Sequence, residues 1–67
     1  MATFQEANQA RVKLKMKLSD YYWYSSSEVL FDEGDYYVRV LVKNFDKNVK
    51  KKIPFFVNEV FIRADLE

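Results

Sequence analysis

The sequence predicts a small α+β domain with the element order αββαβ, in which two helices pack on one face of a three-stranded sheet. Three observations lead to this prediction. A capped run of helix-forming residues opens the chain, β-rich runs with alternating polarity fill its middle and end, and one Gly and one Pro separate these elements. Because 67 residues can enclose only one small core, we expect a single domain over residues 1–67.

Apolar packing must hold this domain together. The chain contains no Cys and no His, so neither a disulfide bond nor a Cys/His zinc site can stabilise it. Hydrophobic residues make up 49% of the sequence and aromatic residues 18%, which is more aromatic surface than so small a core hides easily. We therefore expect part of this set to reach the surface or contact a partner: Tyr21, Tyr22, Trp23, Tyr24, Tyr36, Tyr37, Phe55 and Phe56.

The overall charge indicates no particular partner, because 11 Lys and Arg residues nearly balance 10 Asp and Glu residues. The first residues lack the basic and apolar regions of a secretion signal, and no apolar run approaches the roughly 18 residues needed to cross a bilayer. We expect a cytoplasmic protein that does not enter a membrane. The closing pair Leu66-Glu67 is typical of a cloning remnant, and we expect no functional role for it.

The first element is predicted to be a helix from residue 4 to about residue 21. Thr3 and Glu6 have the spacing of a capping box, and four apolar residues follow at helical spacing: Ala7, Ala10, Leu14 and Leu18. A second pattern competes with this one, since every other residue from Val12 to Leu18 is apolar and the residues between them are basic, as in a half-buried strand. The cap, the Ala content and the scarcity of β-branched residues favour the helix.

Two antiparallel strands are predicted next, at residues 28–31 and 36–43. Residues 32–35 would form the hairpin connection, in which Gly34 supplies a positive φ, and residues 23–27 would form the exit from the helix. Alternation in the second strand divides its side chains between two faces. Val38, Val40 and Val42 would face the helices, and Tyr37, Arg39, Leu41 and Lys43 would line a face that is at least half wet.

The remaining elements are predicted to be a short helix and a third strand. Asp46 can cap a helix over residues 47–53, which Pro54 ends because proline disfavours helical angles in the residue before it. Residues 59–65 alternate again, with Val60, Ile62 and Ala64 on one side.

This succession resembles small uncharacterised bacterial αββαβ proteins. The residues that carry the resemblance are the aromatic end of the first helix at residues 21–24, the hairpin closing at residues 38–42, and the return through residues 53–62. In those proteins a residue pair that often contains Gly precedes the last strand, and Asn58-Glu59 stands in its place here. The resemblance implies the fold and no chemistry, since it includes no catalytic motif.

No motif predicts catalysis, a cofactor or a metal site. The sequence has no Gly-rich phosphate loop, no nucleophile with a His partner and no recognisable pair of catalytic carboxylates. Asp32, Glu33 and Asp35 are better explained as residues that solubilise a hairpin loop than as cation ligands. We therefore expect a protein that is not an enzyme and has no catalytic residues.

Two functions remain. The first is a non-catalytic protein-interaction module that associates with a protein partner or with itself through a sheet edge or surplus aromatic surface. The alternative is a weak single-stranded nucleic-acid-binding domain, favoured if Arg39, Lys43 and Arg63 converge beside aromatic rings. The aromatic residues 21–24 could line a ligand pocket, although closing the core is the better explanation. The candidate interaction surface consists of Trp23, Tyr37, Arg39, Lys43, Phe55, Phe61 and Arg63.

Overall fold

The computed structural model describes residues 2–67, which form an α+β fold of two helices and one four-stranded sheet. The elements in chain order are α1 (Phe4–Leu18), β1 (Tyr24–Asp32), β2 (Asp35–Val42), α2 (Lys47–Lys52), β3 (Phe56–Val57) and β4 (Val60–Leu66). The strand order is β1-β2-β4-β3, with β2 and β4 parallel and the other pairs antiparallel. The predicted fold class is confirmed, but the predicted three strands and αββαβ order are wrong because β3 adds a fourth strand.

Helix α1 forms as predicted from its capping box and from the helical spacing of its apolar residues. The Thr3 hydroxyl accepts a hydrogen bond from the Glu6 N–H, and the Glu6 carboxylate accepts one from the Thr3 N–H. The helix ends at Leu18 rather than near residue 21, since the N–H of Tyr21 bonds to the Leu18 carbonyl in a tighter turn after Ser19 and Asp20, which are weak helix formers. Its buried residues are Ala7, Ala10, Leu14 and Leu18.

Strand β1 begins at Tyr24, so the prediction that residues 23–27 form the exit from the helix is wrong for residues 24–27, while Trp23 lies in the turn before the strand. Ser26 and Ser27 pair with Leu41 and Val40 of β2, and this long-range pairing outweighs the local preference of serine for loops. A bulge between Tyr24 and Ser26 places both Tyr24 and Ser27 on the core side, where their hydroxyl oxygens are 3.0 Å apart.

The hairpin connection is a two-residue turn. Glu33 and Gly34 adopt φ values of 52° and 77°, and Asp32 pairs with Asp35 on either side of them. The predicted positive φ at Gly34 is confirmed. In β2, the three valines predicted to face the helices are fully buried: Val38, Val40 and Val42.

The end of the chain differs from the prediction in two places. Helix α2 stops at Lys52, because Ile53 is extended before Pro54, although Ile53 stays buried. Strand β3 follows, and it joins β4 through a turn in which Asn58 and Glu59 have φ values of 50° and 69°. The closing pair, for which no functional role is expected, continues the backbone pairing of β4 with β2. Leu66 pairs with Val42, and the Glu67 N–H donates to the Val42 carbonyl.

One hydrophobic core lies between the sheet and the helices. Helix α1 packs against β1, β2 and β4, and α2 contributes Val49 to the same core. Strand β4 adds Val60 and Ile62, and Trp23 closes one end of the core. In the part of the chain that is described, no buried polar or charged residue interrupts this packing. None of the helices described is long and apolar enough to span a membrane.

Candidate interaction surface

The sheet face opposite α1, called the open face below, is the surface on which four of the seven candidate residues meet. Strand register defines it, because residues paired across neighbouring strands share a face. Tyr37 pairs with Leu30 of β1, and Arg39 pairs with Glu28 of β1 and Arg63 of β4. The side chains of this face are half-buried or exposed, and they are Ser26, Glu28, Leu30, Tyr37, Arg39, Leu41, Phe56, Phe61, Arg63 and Asp65.

Three rings on the open face form an aromatic cluster, which consists of Tyr37, Phe56 and Phe61. The ring centroids of Tyr37 and Phe61 are 6.3 Å apart, and those of Phe56 and Phe61 are 5.8 Å apart in an edge-to-face arrangement. These distances are typical of favourable aromatic pairs. Phe61 is nevertheless 45% exposed and Phe56 62% exposed, so the cluster presents a continuous apolar surface to the solvent.

Four charges lie beside this cluster and compensate one another. The Asp65 Oδ2 atom accepts a hydrogen bond from the Nε of Arg39 at 3.0 Å and forms an ion pair with the Nε of Arg63, also at 3.0 Å. The Glu28 carboxylate lies 3.6 Å from an Nη atom of Arg39. The nucleic-acid hypothesis requires Arg39, Lys43 and Arg63 to converge, and the two arginines do so, but two carboxylates neutralise them. Because all four side chains are at least 27% exposed, each ion pair contributes little to stability.

The other three candidates lie outside the open face. Trp23 is only 5% exposed and stacks on Tyr21 with ring centroids 4.9 Å apart, so it belongs to the core and not to the candidate surface. Its burial agrees with the interpretation that residues 21–24 close the core. Lys43 follows the end of β2 and is exposed, with its N–H bonded to the Trp23 carbonyl. Phe55 is 78% exposed and lies at the outer edge of β4, where its carbonyl accepts from the Ile62 N–H.

Sequence reasoning did not place two important residues on this surface. Phe56 was expected to be exposed, but its position beside Phe61 depends on β3, whose two residues are too few to show a period. Asp65 could have been found, because alternation along residues 61–65 puts it on the same face as Phe61 and Arg63.

A second set of exposed rings lies on the core side of the sheet, next to the hairpin turn and on the opposite face from the aromatic cluster. The ring of Tyr36 contacts Phe4 and Phe31 with centroid distances of 5.7 Å and 4.7 Å, and Phe31 is 60% exposed. Phe31 pairs with Tyr36 across the hairpin, so it points away from the open face. This set therefore offers matched control positions for tests of the aromatic cluster.

No arrangement for metal chemistry occurs among residues 2–67, where no group of three or more acidic side chains is placed to hold an ion. We compared the chain with protein-family models, with curated proteins and with solved structures, and none of these comparisons found a match.

Proposed function

We propose that this chain is a non-catalytic protein-interaction module that associates with a second copy of itself through the open face. The observation that carries the proposal is the aromatic cluster of Tyr37, Phe56 and Phe61, which lies uncovered at the middle and edge of the sheet. Aromatic side chains are the usual anchors of protein interfaces, because burying one ring removes a large apolar area from water at a small cost in side-chain entropy.

The charges beside the cluster support a second copy as the partner. In a two-fold interface the same surface meets itself, so a charged surface is self-complementary only if it carries both signs of charge. The open face has two arginines and two carboxylates, and a second copy can therefore place a carboxylate opposite each guanidinium. A face of one charge sign would repel its own copy.

Sedimentation equilibrium over a concentration series tests this proposal. We expect the wild-type chain to self-associate and Phe61→Ser to shift the equilibrium strongly toward monomer. The matched control is Phe31→Ser, which removes an exposed ring of the same size from the opposite face of the sheet. Far-UV circular dichroism would verify that both variants fold. A wild-type chain that remains monomeric at about 1 mM, the weak limit of specific association, would refute the proposal. Loss of association in Phe31→Ser alone would refute the assignment to the open face.

One observation favours the alternative of single-stranded nucleic-acid binding. Tyr37 and Phe61 lie side by side on the two central strands, and Arg63, with its side chain 58% exposed, is next to them. Bases stack on such rings, and guanidinium groups contact phosphates. Asp65 and Glu28 weaken this hypothesis because they already hold the arginines. Titration of a labelled oligothymidine at low and moderate salt separates the two functions, since nucleic-acid binding must fall steeply with salt.

A further inference from the structure

The outer edge of β4 is open along most of its length. Strand β3 pairs only with Phe61 and Val60, and the Phe55 carbonyl accepts from the Ile62 N–H at 2.8 Å. Beyond Ile62, the described residues supply no strand on this side. Along a strand, backbone N–H groups point alternately to the two edges, so those of Ala64 and Leu66 point outward as that of Ile62 does. These donors are available to an added strand.

A groove of about 370 Å³ runs beside this edge. Phe61 and Arg63 line it from the open face, and Ile62 and Ala64 line it from the core face. Side chains from both faces of one strand can border the same groove only where it follows the strand's edge. The opposite wall belongs to the segment around α2 and consists of Phe45, Lys50, Ile53, Pro54 and Phe55.

The groove is apolar inside and basic at its rim. Its charged lining residues are Lys50 and Arg63, and no carboxylate lines it, although Arg63 is already paired with Asp65, so Lys50 supplies the unpaired charge of its lining. The Lys50 ammonium lies 5.2 Å from the centroid of the Phe45 ring, which holds this cation above an apolar wall. The neighbouring residues 43–52 contain five lysines and one aspartate, so the wall formed by α2 carries positive charge. Charge complementarity therefore selects an acidic occupant.

We propose that an acidic, extended peptide of a protein partner adds to the outer edge of β4 as a fifth strand, an inference that rests on the proposed interaction function. The backbone of Ala64 and Leu66 forms the added ladder, one apolar side chain of the peptide enters the groove beside Phe55, and flanking carboxylates meet the lysines of α2. Strand addition suits this edge because main-chain hydrogen bonds provide affinity while the groove and the lysines provide selectivity.

Peptide titration of the ¹⁵N-labelled full chain tests this proposal. The probe is a capped heptapeptide with three central apolar β-branched or aromatic residues and two glutamates at each end. One control peptide replaces the glutamates with lysines, and another has proline at its central position. We expect the acidic probe to shift the amide signals of Ala64 and Leu66 and to slow their hydrogen exchange, while neither control peptide binds.

Variants with matched controls test the two walls separately. Phe55→Ser removes an exposed ring from the groove, and Lys50→Glu reverses the charge at its rim. Each should weaken binding by about fivefold or more, which corresponds to about 1 kcal/mol. Phe31→Ser and Lys17→Glu change exposed residues away from the groove and should leave the affinity unchanged.

Four outcomes would overturn the inference. The first is that no amide signal shifts at about 1 mM probe, and the second is that the lysine peptide binds as well as the acidic one. The third is that the shifts are confined to the amide signals of Tyr37 and Arg39 on the open face. The fourth is that the chain itself forms open-ended polymers that Phe55→Ser abolishes. The last outcome would identify a second copy as the occupant, since a head-to-tail contact between two different edges of identical chains gives open-ended polymers whenever it does not close into a ring. Failure here with intact open-face dimerisation would leave the proposed function standing, because sedimentation measures that association independently.

Discussion

The competing patterns in residues 12–18 lead to the sharpest prediction of the structure. Leu14 and Met16 occupy equivalent positions in the alternating pattern, so a strand would bury both side chains on one face. In α1 they separate completely, since Leu14 is 1% exposed and Met16 is 75% exposed. Replacing each of them with Ala therefore makes a matched pair, because both substitutions shorten an apolar side chain and leave a residue of high helix propensity.

The two substitutions should lower the free energy of unfolding by amounts that differ by several kcal/mol. Leu14→Ala removes three carbon atoms, which at about 0.8 kcal/mol each is about 2.4 kcal/mol of transfer free energy. The cavity left between α1 and the sheet adds to this, for a total of about 2–5 kcal/mol. Met16→Ala should change the free energy of unfolding by less than about 0.5 kcal/mol, as is usual at the surface. The free energy of unfolding of a domain of this size is about 3–10 kcal/mol, so Leu14→Ala removes a large share of it.

Urea unfolding measures this difference. Trp23 is buried and becomes exposed on unfolding, so its fluorescence reports the loss of the core, while far-UV circular dichroism reports the helix. A fall in the midpoint at constant slope gives the change in stability. Equal costs for the two substitutions, or a cost for Leu14→Ala below about 0.5 kcal/mol, would refute the assignment of α1's buried face.

Three further predictions concern the turns, the helix cap and the open face. Glu59→Gly should raise the free energy of unfolding by up to about 1 kcal/mol in thermal melts, because Glu59 has a φ of 69° that glycine adopts without strain, and a decrease would contradict this. The backbone N–H and then the hydroxyl of Thr3 lower the pKa of Glu6 from its ordinary 4.5, so its stabilising effect is present above pH 4.5 and is lost as the pH falls through the lowered value. Acid titration of stability should therefore be flatter in Glu6→Gln, and an unchanged slope would argue against the cap. Asp65→Asn should lower the free energy of unfolding by less than about 1 kcal/mol and should increase oligonucleotide binding at low salt. A larger loss of stability in urea unfolding would mean that the ion pairs matter more than their exposure indicates.

The candidate site could be predicted only in part. Alternation in β2 and β4 correctly brought Tyr37, Arg39, Phe61 and Arg63 onto one face, because the side-chain period of a strand is a local property. Composition correctly indicated surplus aromatic surface, yet it could not say which rings are exposed. Trp23 was included in the candidate interaction surface but lies in the core. Its burial depends on where Tyr21 meets the sheet, which the sequence does not show.

The sequence by itself determined the elements whose signals are contained within a few neighbouring residues. The Thr3–Glu6 cap, the turn at Gly34 and the buried valines of β2 are of this kind, because hydrogen-bond spacing, φ preference and strand period act locally. The tertiary structure alone decided the early start of β1, the existence of β3 and the pairing of Arg39 with Asp65. Each of these depends on which distant segment supplies the backbone or charged partner, and a pattern within a few neighbouring residues carries no information about that partner.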